Sequence, residues 1–191
     1  MAMKALVLDG SRRGDERTIK AAAATAASLG DLGYETEVVA LRDIEIAACT
    51  GCFGCWTKTP GECVVADASR DIVARFIGSD LVAFVTPVTF GGYSSELKKW
   101  LDRFIAVVDP RFQVYQGEVH HRLRYPRYPR VISVGTLPAA DSEAEEIFHL
   151  LAERNGKNLH TVIDSMVLVG DGDASETCAA VGSLVARKAV A

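Results

Sequence analysis

"DLVAFVTPVTFGGYSSELKKWLDRF", Asp80 to Phe104, carries three signals in succession. It opens on an unbroken apolar run and passes through a loop with Pro87, Gly91 and Gly92. From Leu97 onward, Trp100, Leu101, Phe104, Ile105 and Val108 then follow at i+3, i+4, i+7, i+8 and i+11. An unbroken apolar run suits a strand covered on both faces, as in a parallel sheet, and the second spacing predicts a helix over Ser94–Val108 with one buried face. Ser94 is placed as its N-cap, with Glu96 near the positive end of the helix dipole.

The same alternation extends in both directions. Further strands are predicted in "KALVLD" (Lys4–Asp9), "ETEVVAL" (Glu35–Leu41), "RVISVG" (Arg130–Gly135) and "TVIDSMVLVG" (Thr161–Gly170). Helices are predicted over Thr18–Leu29, Ala68–Ile77 and Asp141–Asn155, each followed by a glycine (Gly30, Gly78, Gly156) where the chain is expected to leave the helix, and over Ala174–Val190. Five strand–helix alternations predict an α/β doubly wound fold: a five-stranded parallel sheet with helices on both faces and right-handed crossovers. No repeat or linker divides the chain, so residues 1–191 read as one domain. Two connections exceed what a compact domain needs, a cysteine loop at 42–67 and an insert at 109–129, and long connections are usually lids, binding loops or disordered segments.

A net charge of −4 offers no general attraction to nucleic acid or to acidic membranes, so neither is expected as a partner. The first residues lack the apolar stretch of a secretory signal, and no run is long enough to cross a bilayer. The expectation is a cytoplasmic protein in a reducing compartment, acting with small molecules or other proteins.

In open α/β sheets ligands sit at the carboxyl ends of the strands. After the first strand comes "GSRRGDERT", Gly10 to Thr18, where the hydroxyls of Ser11 and Thr18, the Arg13 guanidinium and helix N–H groups can hold a phosphate; the alternative is a solvated charged loop. After the third strand, Pro87 stiffens the backbone, Gly91 and Gly92 allow close approach, and Phe90 and Tyr93 offer flat apolar surface. That loop can wrap an aromatic ring, or be a turn with two core aromatics. No G-x-G-x-x-G follows a strand, and G-x-x-x-x-G-K-[ST] and G-x-S-x-G are absent. Dinucleotide Rossmann sites, P-loop NTPases and hydrolase elbows are thereby disfavoured. Only Asp9 ends the first strand, without the acidic cluster of a receiver domain.

Cys49, Cys52, Cys55 and Cys63 are spaced C-x2-C-x2-C-x7-C. Three thiolates so close, with a fourth further on, can fold round one iron–sulfur cluster, and Gly51, Gly54 and Gly61 permit the turns. Zinc, a C-x-x-C redox pair and a loop of packed, unmetallated thiols are the alternatives. Cys178 is expected only to pack.

"GSRRGDERT" and "TPVTFGGYSSELKKWLDRF" resemble the NADPH-dependent FMN reductase family of flavodoxin-like proteins, whose loops read G-S-P-R-x-x-G-x-T and T-P-V-Y-F-G-x-x-S-x-x-L-K-x-x-x-D-R. The likeness covers about Lys4 to Val108. It implies strand order 2-1-3-4-5, with Ser11, Arg13 and Thr18 on the FMN phosphate and Pro87, Val88, Thr89, Phe90 and Gly91 against the isoalloxazine and ribityl portion. Gly135 and Thr136 would belong to a third flavin loop. Glu16 and Arg17 replace the family's usual glycine and asparagine, and Thr89 stands where an aromatic is frequent. The cysteine tetrad resembles the iron–sulfur flavoprotein branch, which implies a [4Fe-4S] cluster on Cys49, Cys52, Cys55 and Cys63, while "GECVVAD" resembles cluster-free relatives. The implied function is an FMN-dependent oxidoreductase moving electrons from NAD(P)H to a quinone, flavin or other acceptor, with no obligatory side-chain acid or base. An iron–sulfur electron carrier serving a protein partner and a non-catalytic binding module are the alternatives. The family also implies a homodimer or homotetramer. The basic, aromatic "HHRLRYPRYPR", beginning at His120, can recognise a nicotinamide phosphate, cover the flavin, bind a partner subunit or form a solvated loop.

Overall fold

The computed structural model describes residues 2–186. In chain order the elements are β1 (Met3–Asp9), α1 (Glu16–Asp31), β2 (Tyr34–Ala40), α2 (Gly54–Thr57), α3 (Ser69–Gly78), β3 (Leu81–Pro87), α4 (Ser95–Arg103), β4 (Val108–Tyr115), β5 (Glu118–Leu123), β6 (Arg130–Leu137), α5 (Ser142–Asn158), β7 (Ile163–Val169) and α6 (Ala174–Ala186). The main sheet is five-stranded, ordered β2-β1-β3-β6-β7, with every pairing parallel. Counting only its strands, this is the expected 2-1-3-4-5 flavodoxin-like order.

Alternate residues of each strand feed two cores. Ala5 and Val7 face α1 and α6 with Ala83, Val85, Ile132 and Val134, whereas Leu6 and Leu8 face the opposite layer with Phe84, Phe76 of α3, Trp100 of α4 and Phe148 of α5. The small residues of α1, such as Ala21 and Ala22, let it lie close to the sheet. The opposite layer is built on rings: Trp100 packs against Phe76, Phe84 and Phe104, and Tyr93 meets Phe84 and Phe148 edge-on. Register leaves the central strands level at their carboxyl ends: Asp9 lies beside Ala40 and Val85, and Pro87 beside Thr136.

Several boundaries differ from expectation. The helix begun at Ser94 stops at Arg103 and tightens into a 3-10 turn over Phe104–Val107, so Val108 starts a strand. The insert at 109–129 is mostly a β-hairpin, β4 against β5, turning at Gln116 and Gly117, both with positive φ. Alternation of Phe112 and Val114 with polar neighbours, followed by a Gln-Gly pair, was the signal for it. Helix α5 runs through Gly156 rather than ending there. A Cβ at Gly156 would lie 2.7 Å from the Thr161 carbonyl oxygen, so this glycine serves close approach of the returning chain. Likewise α1 passes Gly30 and ends at Asp31. Residues 187–190 of the expected last helix lie outside the described residues.

Candidate functional site

The loops after β1, β3 and β6 meet at the level carboxyl edge and line an open depression between Arg12, Arg13, Gly14, Asp15 and Arg17 on one side and Pro87, Val88, Thr89, Thr136 and Pro138 on the other. At the β1 loop, the buried Asp9 carboxylate accepts the Ser11 N–H (2.9 Å) and pairs with Arg42. Arg42 also donates to Ser11 Oγ at 2.6 Å. Thr18 Oγ1 lies 2.6 Å from both Asp15 Oδ2 and Thr136 Oγ1, and Asp15 caps α1 by accepting the Thr18 N–H at 3.2 Å. Ser11 and Thr18 are wholly buried, so their hydroxyls shape the loop rather than face the depression.

Arg13 is the expected phosphate residue that does reach solvent: its side chain is 82% exposed, with Asp43 no nearer than 3.8 Å. Among the described residues, the N–H groups of Arg12, Arg13 and Gly14 donate to no protein group. Together with the Arg12 and Arg13 guanidinium groups they are a donor set that fits an anionic headgroup. Glu16 points outward, and Arg17 turns to the end of β7, donating to the Gly170 carbonyl (2.8 Å) and pairing with Asp171 (3.0 Å). Neither departure from the family motif therefore projects freely into the loop.

The loop after β3 is a tight turn. Thr89 and Gly92 exchange both backbone hydrogen bonds (2.9 and 2.8 Å) across Phe90 and Gly91, whose φ values are 50° and 73°. Gly91 is required twice over, by its φ and because a Cβ there would lie 2.4 Å from Ile147 Cγ2. Phe90 projects from the tip, 99% exposed. The Val88 N–H is taken by Thr136 O (3.0 Å), and among the described residues the N–H groups of Phe90 and Gly91 have no backbone acceptor. Ser94 anchors the far end: its hydroxyl donates to Gly10 O and accepts the Leu97 N–H, while its own N–H donates to Thr86 Oγ1 (2.9 Å). Of the two aromatics expected here, Phe90 is free surface and Tyr93 is core. Gly135 is buried under Val88 and Phe148, one residue short of the depression, while Thr136 lines it.

All four loop cysteines line one small cavity, of about 40 Å³, roofed by Phe53 and backed by Val65, Arg103 and Ile105. Cys49 and Cys52 are exposed, Cys63 half-buried and Cys55 buried, and all are free thiols. The Gly54 N–H and the Thr50 side chain draw the Cys52 thiol below its usual pKa; burial, then the neighbouring Cys63, raises that of Cys55. Among the described residues, no three His, Cys, Asp or Glu side chains converge tightly enough to hold a single metal ion, the arrangement a structural zinc needs. Arg103 holds both arms of the loop through Ala47 O (2.9 Å), Val65 O (3.0 Å) and Asp67. Cys178 packs against α1, its thiol 3.3 Å from Ala24 O.

The basic insert is spent largely on packing. Arg124 donates to Ala106 O (3.0 Å) and Val108 O (3.2 Å), Tyr128 to Val107 O, and Arg127 pairs with Asp80 at 2.7 Å. Glu118 ties β5 to α5 through Arg154 and Lys157. Sequence reasoning missed Asp9, Arg42, Asp15 and Arg103, whose partners lie up to 56 residues away.

A doubly wound parallel sheet with its loops gathered at the topological switch point between β1 and β3 defines the flavodoxin-like class. The chain belongs to the NADPH-dependent FMN reductase family, whose model matches residues 3–121. It is 33% identical over 101 residues to an iron–sulfur flavoprotein of Methanocaldococcus jannaschii, covering 53% of this chain and 51% of the relative. It is 28% identical over 103 residues to an iron–sulfur flavoprotein of Methanosarcina thermophila, covering 54% and 53%. The matched region is thus about half the length of these relatives. Among solved structures, an NAD(P)H:quinone oxidoreductase of Methanothermobacter marburgensis superposes with a TM-score of 0.68 at 14% identity, over 96% of this chain and 97% of that one. An FMN-dependent NADH-azoreductase of Bacillus anthracis, in complex with FMN, gives 0.67 at 15% identity over 98% and 99%. At these identities the structural likeness shows the fold. No helix among the described residues is long and apolar enough to cross a membrane.

Proposed function

We propose that the protein is an FMN-dependent oxidoreductase that takes electrons from NAD(P)H and passes them to a quinone, flavin or other acceptor. The observation that carries this reading is the depression at the carboxyl edge, in a chain matched by the FMN reductase family over residues 3–121. It presents guanidinium and free N–H groups at one end and a stiff Pro87–Thr89 wall at the other. FMN, when bound, supplies the two-electron chemistry between nicotinamide and acceptor.

The chain's own residues bind and orient. Arg12, Arg13 and the N–H groups of Arg12–Gly14 hold the phosphate, while Ser11 and Thr18, through Arg42, Asp15 and Thr136, fix the loop that presents them. Pro87, Val88 and Thr89 flank the ring and ribityl portion, with Thr136 behind them and Gly135 beneath. The open N–H groups of Phe90 and Gly91 are available to a carbonyl or to negative charge on a ring edge. Phe90 supplies apolar cover, within one chain or across a homodimer or homotetramer. A reducing, cytoplasmic setting fits the five free thiols.

The test is an anaerobic visible spectrum after FMN reconstitution, followed by NADH or NADPH. Flavin peaks that bleach with the nicotinamide are expected. A chain that retains no flavin and perturbs no FMN absorbance refutes the reading, and flavin binding without bleaching leaves the binding module instead.

A second reading is favoured by the four cysteines lining one cavity and by the iron–sulfur flavoproteins among the relatives. In that reading Cys49, Cys52, Cys55 and Cys63 hold a [4Fe-4S] cluster and the chain exchanges single electrons with a protein partner. Stoichiometric iron and sulfide in anaerobically purified protein are expected; flavin without either refutes it.

A further inference from the structure

One face of α5 is divided in two. Glu143, Ile147, Leu150 and Arg154 follow at i, i+4, i+7 and i+11 and so share that face. Its C-terminal end is covered by the chain's own hairpin, where Glu118 of β5 binds Arg154 (2.6 Å) and Lys157 (3.1 Å). Its N-terminal end is bare. Ile147 and Leu150 are 43% and 56% exposed there, and Phe90, at the tip of the turn that packs on Ile147, is 99% exposed. The same end is acidic: Asp141, Glu143, Glu145 and Glu146 fall within six residues, and among the described residues the ion pairs of α5 all lie past Leu151.

The hairpin is the complement of that bare end. Gln113 and Tyr115 meet His160, His120 meets Asn158 and Glu118 meets Arg154, so the polar face of the hairpin is turned to α5 and the residue pair after it. The cross-strand pair Val114 and Val119, with Phe112, is left on the outer face, 61–74% exposed. An apolar strand face turned to water reverses the usual alternation and marks a contact surface. Residues 108–130 also carry five arginines against two carboxylates, in a chain of net charge −4, and Arg111 and Arg122 are exposed.

A basic, apolar projection beside an acidic, apolar step on one molecule suits a twofold contact, in which each copy offers both and each contact occurs twice. The bare half of α5 is about 13 Å long at about 1.5 Å per residue, and β5 is about 20 Å long, so one hairpin spans it. Counted twice, Phe90, Phe112 and the four aliphatic side chains reach the roughly 1,000 Å² that a stable interface needs, since one aromatic ring alone buries about 150–250 Å².

We propose that the protein self-associates through this surface as a twofold pair, the hairpin of each copy lying on the N-terminal half of the other's α5, with Arg111 and Arg122 against Glu143 and Glu146. The contact goes beyond the flavin reading and stands on these side chains whether or not FMN binds.

The test is sedimentation of the full chain and of two charge-reversed variants, Glu143→Lys/Glu146→Lys on α5 and Arg111→Glu/Arg122→Glu on the hairpin. An even-numbered assembly is expected for the parent. Each variant alone sets like charges together in both contacts, which weakens association at least tenfold and halves the mass. Mixed in equal amounts, the two variants regain the parent's mass, because reversed α5 then meets reversed hairpin in one contact and the parent pairing is kept in the other. Should a variant lose its folded circular dichroism, isotope-filtered nuclear Overhauser contacts in the unaltered protein replace it, from the Val114 and Val119 methyls of one chain to the Ile147 and Leu150 methyls of the other. A monomeric parent overturns the proposal. So do variants that associate as the parent does, a mixture that stays at the lower mass, which leaves α5 to some other partner, or methyl contacts that map elsewhere.

Discussion

Arg103→Met isolates what holds the cysteine loop in place. Arg103 ends α4 with its side chain 1% exposed, and its two terminal nitrogens reach Ala47 O before the first loop cysteine, Val65 O after the last, and the Asp67 carboxylate. Asp67 in turn accepts the N–H groups of Ala47 and Ser69, each at 3.0 Å. Methionine keeps most of the apolar stem and removes every one of these donors. Breaking a buried pair by deleting one partner costs about 3–5 kcal/mol. Asp67 is 15% exposed and retains both N–H donors, which places the loss at the lower end, about 3 kcal/mol. For a chain of this length each kcal/mol shifts Tm by about 2–4 °C, so calorimetry of the reduced, metal-free protein should show a fall of about 6–12 °C. The cycle with Asp67→Asn should show a coupling of at least about 1 kcal/mol, since both changes break the same contact. A fall below about 3 °C, or effects that simply add, would refute the clamp.

Three further outcomes follow from the same contacts. Asp15→Asn keeps the α1 cap while removing a carboxylate beside the proposed phosphate loop; fluorescence titration should show FMN bound about two- to fivefold more tightly and riboflavin unchanged, and equal gains for both would exclude Asp15 as a competitor. Gly91→Ala forces a Cβ against Ile147 at φ 73°; urea denaturation should register a loss of about 1–3 kcal/mol, partly restored by Ile147→Ala, and an unshifted midpoint would contradict the turn geometry. The Glu118 carboxyl is held down to about 2 by Arg154 and then Lys157. Its folded pKa lies below the unfolded value, so its tie to α5 is fully present above about pH 4.5 and is lost as the pH falls toward 2. Protection factors for amide exchange in β5, the observed rates corrected for the intrinsic pH dependence, should fall across that window in the parent chain, and Glu118→Gln should flatten the dependence.

Features set by local pattern were legible in the sequence, and features set by distant pairing were not. Unbroken runs such as Leu81–Val85 and the Ser94 cap identify themselves within a few residues, because covering a parallel strand on both faces, or bonding the first N–H groups of a helix, is a local demand. Glycine is a poorer guide: Gly156 looks like a helix stop but sits inside α5, because what it accommodates is Thr161 on the returning chain. The hairpin at β4 and β5 was overlooked because its length invited a loop reading, although its alternation and Gln-Gly turn were on display.

The proposed phosphate loop shows most sharply why residue type does not settle residue role. Ser11 and Thr18 have the chemistry to bind an anion, but whether a hydroxyl faces a ligand depends on what else competes for it. Here Arg42, 31 residues on, takes Ser11, and Thr136, 118 residues on, takes Thr18. Both contacts arise because parallel register brings the ends of β1, β2, β3 and β6 level, so residues that share an edge in space share nothing in sequence. The donors left over are backbone N–H groups and the two arginines that no carboxylate has claimed at close range. In the proposed function, anion recognition at this edge rests on the loop's conformation, so a substitution at Arg42 or Asp9 should disturb it as surely as one at Arg13.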